Sequence, residues 1–366
     1  MASYDASRTG RTSASPLEGV TDFWTYETDS RNDILASPVV ADGTVYVGSG
    51  FKVYALSLAD GTVKWVTESD YQTGYASTAL YDDLLLVSCI GDEEGELLAL
   101  DRENGDVVWH DPAPVSTGPT IVEETIYVGT TAEGGSLYAI DAETGDERWS
   151  TVLSSDFETA GLPSSEPAIV DGSVYVTGTA EDAGEEPRGR LLSLAEDGSI
   201  QWEHGVSGRV QSSPAVADGS VYFGTGDRDV YAIDSSNGET EWTVEVGNSV
   251  YASPALDDER LYVTTMGLGD GLLALSRSNG ETVWTGDARP LYTEPAIAGE
   301  RVYVGGARIQ AFDTRDGDPV WEFDMDNLFS TEYTPPALVD DRVVVGTCTK
   351  EEQHQQYYDN YLCVIW

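Results

Sequence analysis

Eight short segments of this sequence begin on a matching residue, a proline in all but one: Pro38, Thr78, Pro119, Pro167, Pro214, Pro254, Pro295 and Pro336. Three residues ahead of it stand Leu35, Tyr75, Ser116, Ser164, Gln211, Tyr251, Tyr292 and Tyr333. One residue ahead stand Ser37, Ser77, Gly118, Glu166, Ser213, Ser253, Glu294 and Pro335. The slot between them is small in every copy, from Ala36 to Thr334. Residues two apart on an extended chain share a face. Tyr75, Tyr251, Tyr292 and Tyr333 therefore fall on one side with Glu166 and Glu294, and Gln211 joins them. Aromatic faces attract cations, and tyrosine offers both apolar area and a hydroxyl. With two carboxylates nearby, the set suits a cationic or sugar-like ligand or a basic peptide. Arg209 and Arg289, five and six residues ahead of the proline slot, bring charge of the other sign to the same rim. The competing reading is packing, since tyrosine suits strands and glutamate is abundant here. Variation from copy to copy favours recognition, because a purely structural slot would be filled alike each time.

Other chemical signatures are missing. There is no Gly-x-Ser-x-Gly elbow and no His-Glu-x-x-His. His110, His204 and His354 occupy unrelated slots and read as exposed loop residues, not a metal site. Gly267-Leu-Gly-Asp-Gly271 precedes no helix that could hold phosphate and reads as a turn. Asp324-Met-Asp326-Asn327 lacks the rest of a calcium loop and reads as solvated acid. Cys348 and Cys363 flank one hairpin loop, where a cross-strand disulfide is one reading and two free thiols the other; Cys89, in an apolar strand, reads as packing. No catalytic residue and no metal site is assigned.

The elements that position the tyrosines and glutamates come from a repeat. Trp65, Trp109, Trp149, Trp202, Trp242, Trp284 and Trp321 follow one another at spacings of 44, 40, 53, 40, 42 and 37 residues, and Trp24 lies 41 residues ahead of the first. Each from Trp65 onward closes a similar phrase, cleanest in Ala139-Ile-Asp141-Ala-Glu-Thr-Gly145-Asp-Glu-Arg-Trp149. Its opening alternates as a half-buried strand does. Its aspartate can bond amides two residues on, and Thr/Asn-Gly supplies the positive φ of a tight turn. The tryptophan is a flat side chain suited to burial between sheets. Upstream lies a second phrase, as in Ser213-Pro-Ala-Val-Ala-Asp-Gly-Ser-Val-Tyr-Phe-Gly224, which is strand, Asp-Gly hairpin, strand. Two phrases make four short antiparallel strands per period of about 42 residues, one blade of a propeller.

Counting gives an all-β, eight-bladed β-propeller of four-stranded antiparallel blades. Seven units are complete. The eighth begins near Tyr333, ends at Leu362-Cys-Val-Ile-Trp366 and lacks its outermost strand. The stretch around residues 22–28, with Trp24, supplies it, and pairing first strand with last removes the exposed edges. Residues 1–21 are a polar lead-in, and residues 22–366 are one domain without a boundary. Loops are enlarged at Glu181 to Arg190 and Lys350 to Tyr361. In an eight-fold ring Glu166 and Glu294 sit three blades apart. They face each other obliquely across the axis, which does not suit the ~5–9 Å carboxylate pair of a glycosidase.

Composition sets the surroundings. Sixty-five acidic residues against nineteen basic ones give a formal charge of −46, and only three of the basic residues are lysines. Such charge repels itself in the compact state, but in molar salt the Debye length is about 3 Å. The acids are spread along the chain, unlike an acidic tail, so the sequence reads as that of an extreme halophile. Nucleic acid is excluded as a partner, since binding it takes a basic footprint. No run of eighteen apolar residues offers a membrane span.

The phrase Ala-x-Asp-x-x-Thr/Asn-Gly-x-x-x-Trp resembles the tryptophan-docking motif of the quinoprotein alcohol dehydrogenases and their non-catalytic, BamB-like relatives, and the resemblance covers residues 22–366. It implies the pyrroloquinoline-quinone-like repeat propeller. In the dehydrogenases of that family the quinone sits against adjacent cysteines beside a calcium or lanthanide ion, and this chain has no adjacent cysteine pair. The expectation is therefore a binding scaffold without cofactor, engaging a protein or small ligand at one face of the ring. The alternative is a quinoprotein dehydrogenase using pyrroloquinoline quinone with calcium. The family habit implies an extracytoplasmic or cell-surface monomer whose leader, with any membrane tether, is absent from this chain; a cytoplasmic location stays open.

Overall fold

A computed structural model describes residues 8–28, 34, 36–73, 78–91, 95–112, 115–130, 135–153, 157–158, 166–180, 188–266, 271–290, 292–324, 329–331, 334–349 and 360–366. They form an eight-bladed propeller, with no helix among the described residues. Blade 5 is representative, with strands Ala215–Ala217, Ser220–Gly224, Asp229–Asp234 and Thr240–Glu245 paired antiparallel from axis to rim. The eight innermost strands touch in succession around a full circle.

Apolar side chains of each blade pack on the next. Eight separate clusters result, one at each blade–blade seam, such as Tyr222, Val230, Leu261 and Leu273 between blades 5 and 6. The outermost strands alternate exposed and half-buried residues, as in Thr240–Glu245, so only one face of the rim strand enters a seam.

The tryptophan phrase works across these seams. The Asp141 carboxylate accepts the amides of Glu143 (3.1 Å) and Thr144 (3.0 Å), which shapes the turn. Arg148 at 2.7 Å, helped by those amides, holds this carboxyl down at about 2. In that turn Gly145 has φ +78, and a Cβ there would lie 2.8 Å from Cε3 of Trp109 on the preceding blade. The indole therefore lies flat on the glycine. Its Nε1 donates to a carbonyl in the same turn, here Ala142 at 3.3 Å. The same bond recurs at all eight seams: Trp24 to Leu58, Trp65 to Arg102, Trp149 to Glu196, Trp202 to Ser235, Trp242 to Arg277, Trp284 to Thr314 and Trp321 to Leu17.

The ring closes as the strand count requires. Phe23–Thr28 pairs antiparallel with Asn360–Ile365, Trp24 opposite Val364, as the outermost strand of blade 8. The amides of Thr21 and Asp22 donate to the Trp366 carbonyl at 2.7 and 2.9 Å.

The segment ahead of that strand does more than lead in. Arg11–Thr12 pairs parallel with the innermost strand of blade 7, Ala296–Ala298, as its fifth strand. Leu17 is buried, its amide donating to the Tyr303 hydroxyl at 2.7 Å and its carbonyl receiving Trp321. Residues 8–20 thus run from the axis to the rim. Leu17 stands in for the turn that blade 8, split between the chain ends, does not have.

Two expectations are corrected, and one open reading is narrowed. Cys363 is a buried free thiol. The blade-8 register sets it opposite Val345, three residues short of Cys348, so the hairpin does not bring the two cysteines face to face. His110 and His204 lie on the outermost strands Val107–Asp111 and Ile200–Ser207, not in loops. Residues 188–190 belong to a long strand, Arg188–Ala195. Residues 181–187, 267–270, 325–328 and 350–359, which hold the rest of the enlarged loops and the acidic and glycine turns, lie outside the described residues.

Candidate functional site

The innermost strand of each blade starts at the mouth of the ring, and the residues just ahead of it alternate in direction. The small slot turns into the blade. Ser212 Oγ accepts the Gly224 amide at 3.0 Å, and Thr117 Oγ1 accepts the Gly129 amide at 2.8 Å. Thr293 and Thr334 donate across a seam to the carbonyls of Thr331 and Ile34. A larger side chain would displace these contacts, which accounts for the uniform size of the slot.

In blades 4 to 7 the slot that follows faces the neighbouring blade, and its members are joined. The Glu166 amide donates to Ser213 Oγ at 2.9 Å, the Ser213 amide to Ser253 Oγ at 2.9 Å, and Ser253 Oγ to Glu294 Oε1 at 2.5 Å. One polar chain thus links blades 4, 5, 6 and 7 and ends in a glutamate at either side. The bond to the Glu294 carboxylate is charge-assisted and the strongest of the three.

Both glutamates meet a residue outside the repeat. Arg8 places Nη1 on Glu166 Oε2 in a short ion pair, and its Nη2 lies 4.0 Å from Glu294 Oε2. Its side chain is 5% exposed, against 9% for Glu166 and 17% for Glu294, so the pairing is desolvated. A buried charge is costly unless paired, and here one guanidinium answers two carboxylates. The backbone beside it is also held: Thr9 O accepts the Leu256 amide at 2.7 Å and Gly10 O the Ile297 amide at 2.9 Å. Sequence reading missed Arg8 because it precedes the first repeat. The available signal was a pair of arginines, Arg8 and Arg11, in a chain with few cations.

Tyr251 and Tyr292 stand together, half-buried, with ring centroids 6.0 Å apart and planes 30° from parallel. Gln211 is half-buried, and Arg209 and Arg289 are exposed, the Arg209 carbonyl accepting the Gly226 amide. Tyr75 and Tyr333 lie outside the described residues. The structure therefore brings Glu166 and Glu294 together on one cation, closer than the oblique placement expected of blades three apart, and pairs two of the four tyrosines.

A second concavity, a cleft of 770 Å³, opens between blades 5 and 6 on the opposite face. Its arginines are engaged: Arg277 reaches Asp218 at 2.9 Å and lies 5.6 Å over the Tyr222 ring, and Arg260 donates to the Thr314 carbonyl. It reads as a blade seam. Among the described residues, no group of three His, Cys, Asp or Glu side chains is placed to hold a metal ion.

The fold has close counterparts. The solved structure of quinohemoprotein alcohol dehydrogenase from Comamonas testosteroni superimposes with a TM-score of 0.77 at 14% identity, over 99% of this chain and 79% of that one. BamB from Moraxella catarrhalis superimposes with a TM-score of 0.68 at 16% identity, over 94% and 98%. In sequence, the outer membrane protein assembly factor BamB of Shewanella oneidensis is 24% identical over 270 residues, 70% of this chain and 55% of that relative. The chain thus spans just over half the length of that relative. A family model described as outer membrane protein assembly factor BamB matches in four overlapping stretches, residues 6–114, 93–186, 183–253 and 242–352. With nearly every blade matched, the chain belongs to this BamB-type family of pyrroloquinoline-quinone-like repeat propellers.

Proposed function

We propose that the chain is a non-catalytic scaffold that engages a partner protein at the mouth of the ring. The observation that carries this reading is the polar chain from Glu166 to Glu294, closed on a guanidinium and flanked by the Tyr251–Tyr292 stack. Aromatic and charged groups set together on a rigid frame are the makings of an interface hot spot. The named function of the BamB relatives, assembly of outer membrane proteins, is also one of holding other proteins. It fits an extracytoplasmic location, with the propeller acting as a monomer. A photo-crosslinking amino acid at Tyr251 or Tyr292 is expected to give partner adducts in the cells that make the protein. One at Glu143, in a turn on the opposite face, is expected to give none. Equal labelling from both faces would refute the assignment of the mouth.

The quinoprotein reading is favoured by the likeness to the alcohol dehydrogenase fold. The axis residues do not suit its cofactor. Pyrroloquinoline quinone carries three carboxylates, and two glutamates sharing one arginine present charge of the same sign. Calorimetry with the quinone and calcium in molar salt is expected to show no stoichiometric binding. Binding with alcohol-driven dye reduction would overturn the scaffold reading.

A further inference from the structure

We infer that the axis site is a receptor for an Arg-x-Gly peptide, and that Arg8-Thr9-Gly10 of the chain itself occupies it in cis. The inference rests on the scaffold reading above and names the chemistry of the partner.

Three contacts read the segment. The first is the guanidinium between Glu166 and Glu294, whose carboxylates come from blades 4 and 7. A planar fork of donors suits carboxylates better than an ammonium does. The second is main chain. Leu256 and Ile297 donate to the carbonyls of Thr9 and Gly10, and Arg11–Thr12 continues as a parallel strand on Ile297–Ala298. From Arg11 on this is strand addition to an open inner edge, a contact main chain alone can make. Ahead of it Arg8 (φ 57) and Gly10 (φ 63) turn the segment into the site through left-handed backbone. The third is size. Gly10 has φ +63, and a Cβ there would fall 2.7 Å from the Ala255 Cβ and 3.2 Å from the Pro295 carbonyl oxygen. Only glycine is accepted two places after the arginine.

None of the three depends on the segment belonging to this chain. The anchors that serve ring closure come later, at Leu17, Thr21 and the strand Phe23–Thr28. Residues 8–12 can therefore leave while the ring stays shut. Their departure uncovers two largely buried carboxylates and two backbone amides, so the favoured event is exchange for another Arg-x-Gly segment, not simple opening. A tethered occupant acts at an effective concentration on the order of millimolar. Arg8 thus sets a threshold that an incoming partner must exceed, and the contact is autoinhibitory.

The test uses the full chain in molar KCl and a fluorescent peptide with the sequence of residues 5–14, read by anisotropy. The Arg8→Ala chain is expected to bind this peptide at least roughly tenfold more tightly than the unaltered chain, because the cis competitor is gone. Binding should be lost when the peptide carries Arg8→Ala or Gly10→Ala, or when the chain also carries Glu166→Gln and Glu294→Gln. An Arg8→Ala chain that keeps its circular dichroism yet binds all three peptides alike, or no better than the unaltered chain, overturns the inference. Should Arg8→Ala fail to fold, Arg8→Lys keeps the charge, loses the fork and is held to the same outcomes. Photo-adducts at Tyr251 without peptide discrimination would leave the scaffold reading standing and remove this one; discrimination without adducts would keep the peptide site and its cis occupant but remove the mouth as the place where a partner protein docks.

Discussion

Gly145→Ala tests the docking of one blade on the next, and its cost can be worked from two separable effects. The residue has φ +78, a left-handed conformation that costs a side-chain-bearing residue about 1–2 kcal/mol. The added methyl also meets Trp109 at 2.8 Å from Cε3 and 2.9 Å from Cδ2, an overpacking worth about 1–3 kcal/mol. The expected loss is about 2–5 kcal/mol, read from urea denaturation in molar KCl. A double-mutant cycle divides it. In a Trp109→Leu background the ring is gone, so Gly145→Ala should cost only the conformational part, and the coupling should be about 1–3 kcal/mol. Gly205→Ala, where a Cβ meets nothing within 4 Å, is the control and should lie within about 0.5 kcal/mol of the parent. A coupling below about 0.5 kcal/mol would show that the indole does not bear on the turn, and would refute this account of the repeat phrase.

Removing residues 1–28 should unfold the propeller: the closing ladder has six residue pairs, about 6 kcal/mol of net hydrogen bonding against a total stability of about 5–15. An unchanged melting temperature would refute closure through this strand. Melting temperature should also climb between about 0.1 and 3 M KCl as the Debye length falls from about 10 Å to below 3 Å; a flat profile would mean that the acidic composition has been misread. Burial pushes the Cys89 and Cys363 thiols up to about 12, so peptide mapping should find both unmodified by a thiol reagent at pH 8 in the folded protein and modified in urea. The sign follows from the protonated form being favoured in the fold. Their contribution is complete below about pH 8.5, the ordinary thiol value, and is lost as pH rises toward 12.

Much of the fold was legible because its signals are local. An Asp-x-x-Thr-Gly turn and an Asp-Gly hairpin state their conformations within a few residues, and tryptophan recurs once per blade. The leftover strand around Trp24 and the missing strand of blade 8 could be matched by counting alone. The lead-in could not be read this way. Arg8, Gly10 and Leu17 find their partners at Glu166, Ala255 and Trp321, three or more blades further along the chain, and no periodicity encodes such contacts. Alignment of the repeats placed Glu166 and Glu294 at one mouth, but an occupant drawn from outside the repeats leaves no trace in that alignment. The cysteines stayed open for a third reason. Flanking a loop says nothing of register, and three residues of offset separate Cys363 from the position facing Cys348.

The split of blade 8 between the chain ends also bears on synthesis. The strand Phe23–Thr28 is made well before its partner Asn360–Ile365, which lies more than 330 residues further along the chain. At ribosomal rates of about 5–20 residues per second, the first strand waits roughly 20–70 s for its mate. During that time an aromatic segment, Phe-Trp-Thr-Tyr, is an unpaired edge open to the strands of other nascent chains. Its Glu27, a charge that pairing with another chain would have to desolvate, is placed as a gatekeeper on that strand until the circle can shut.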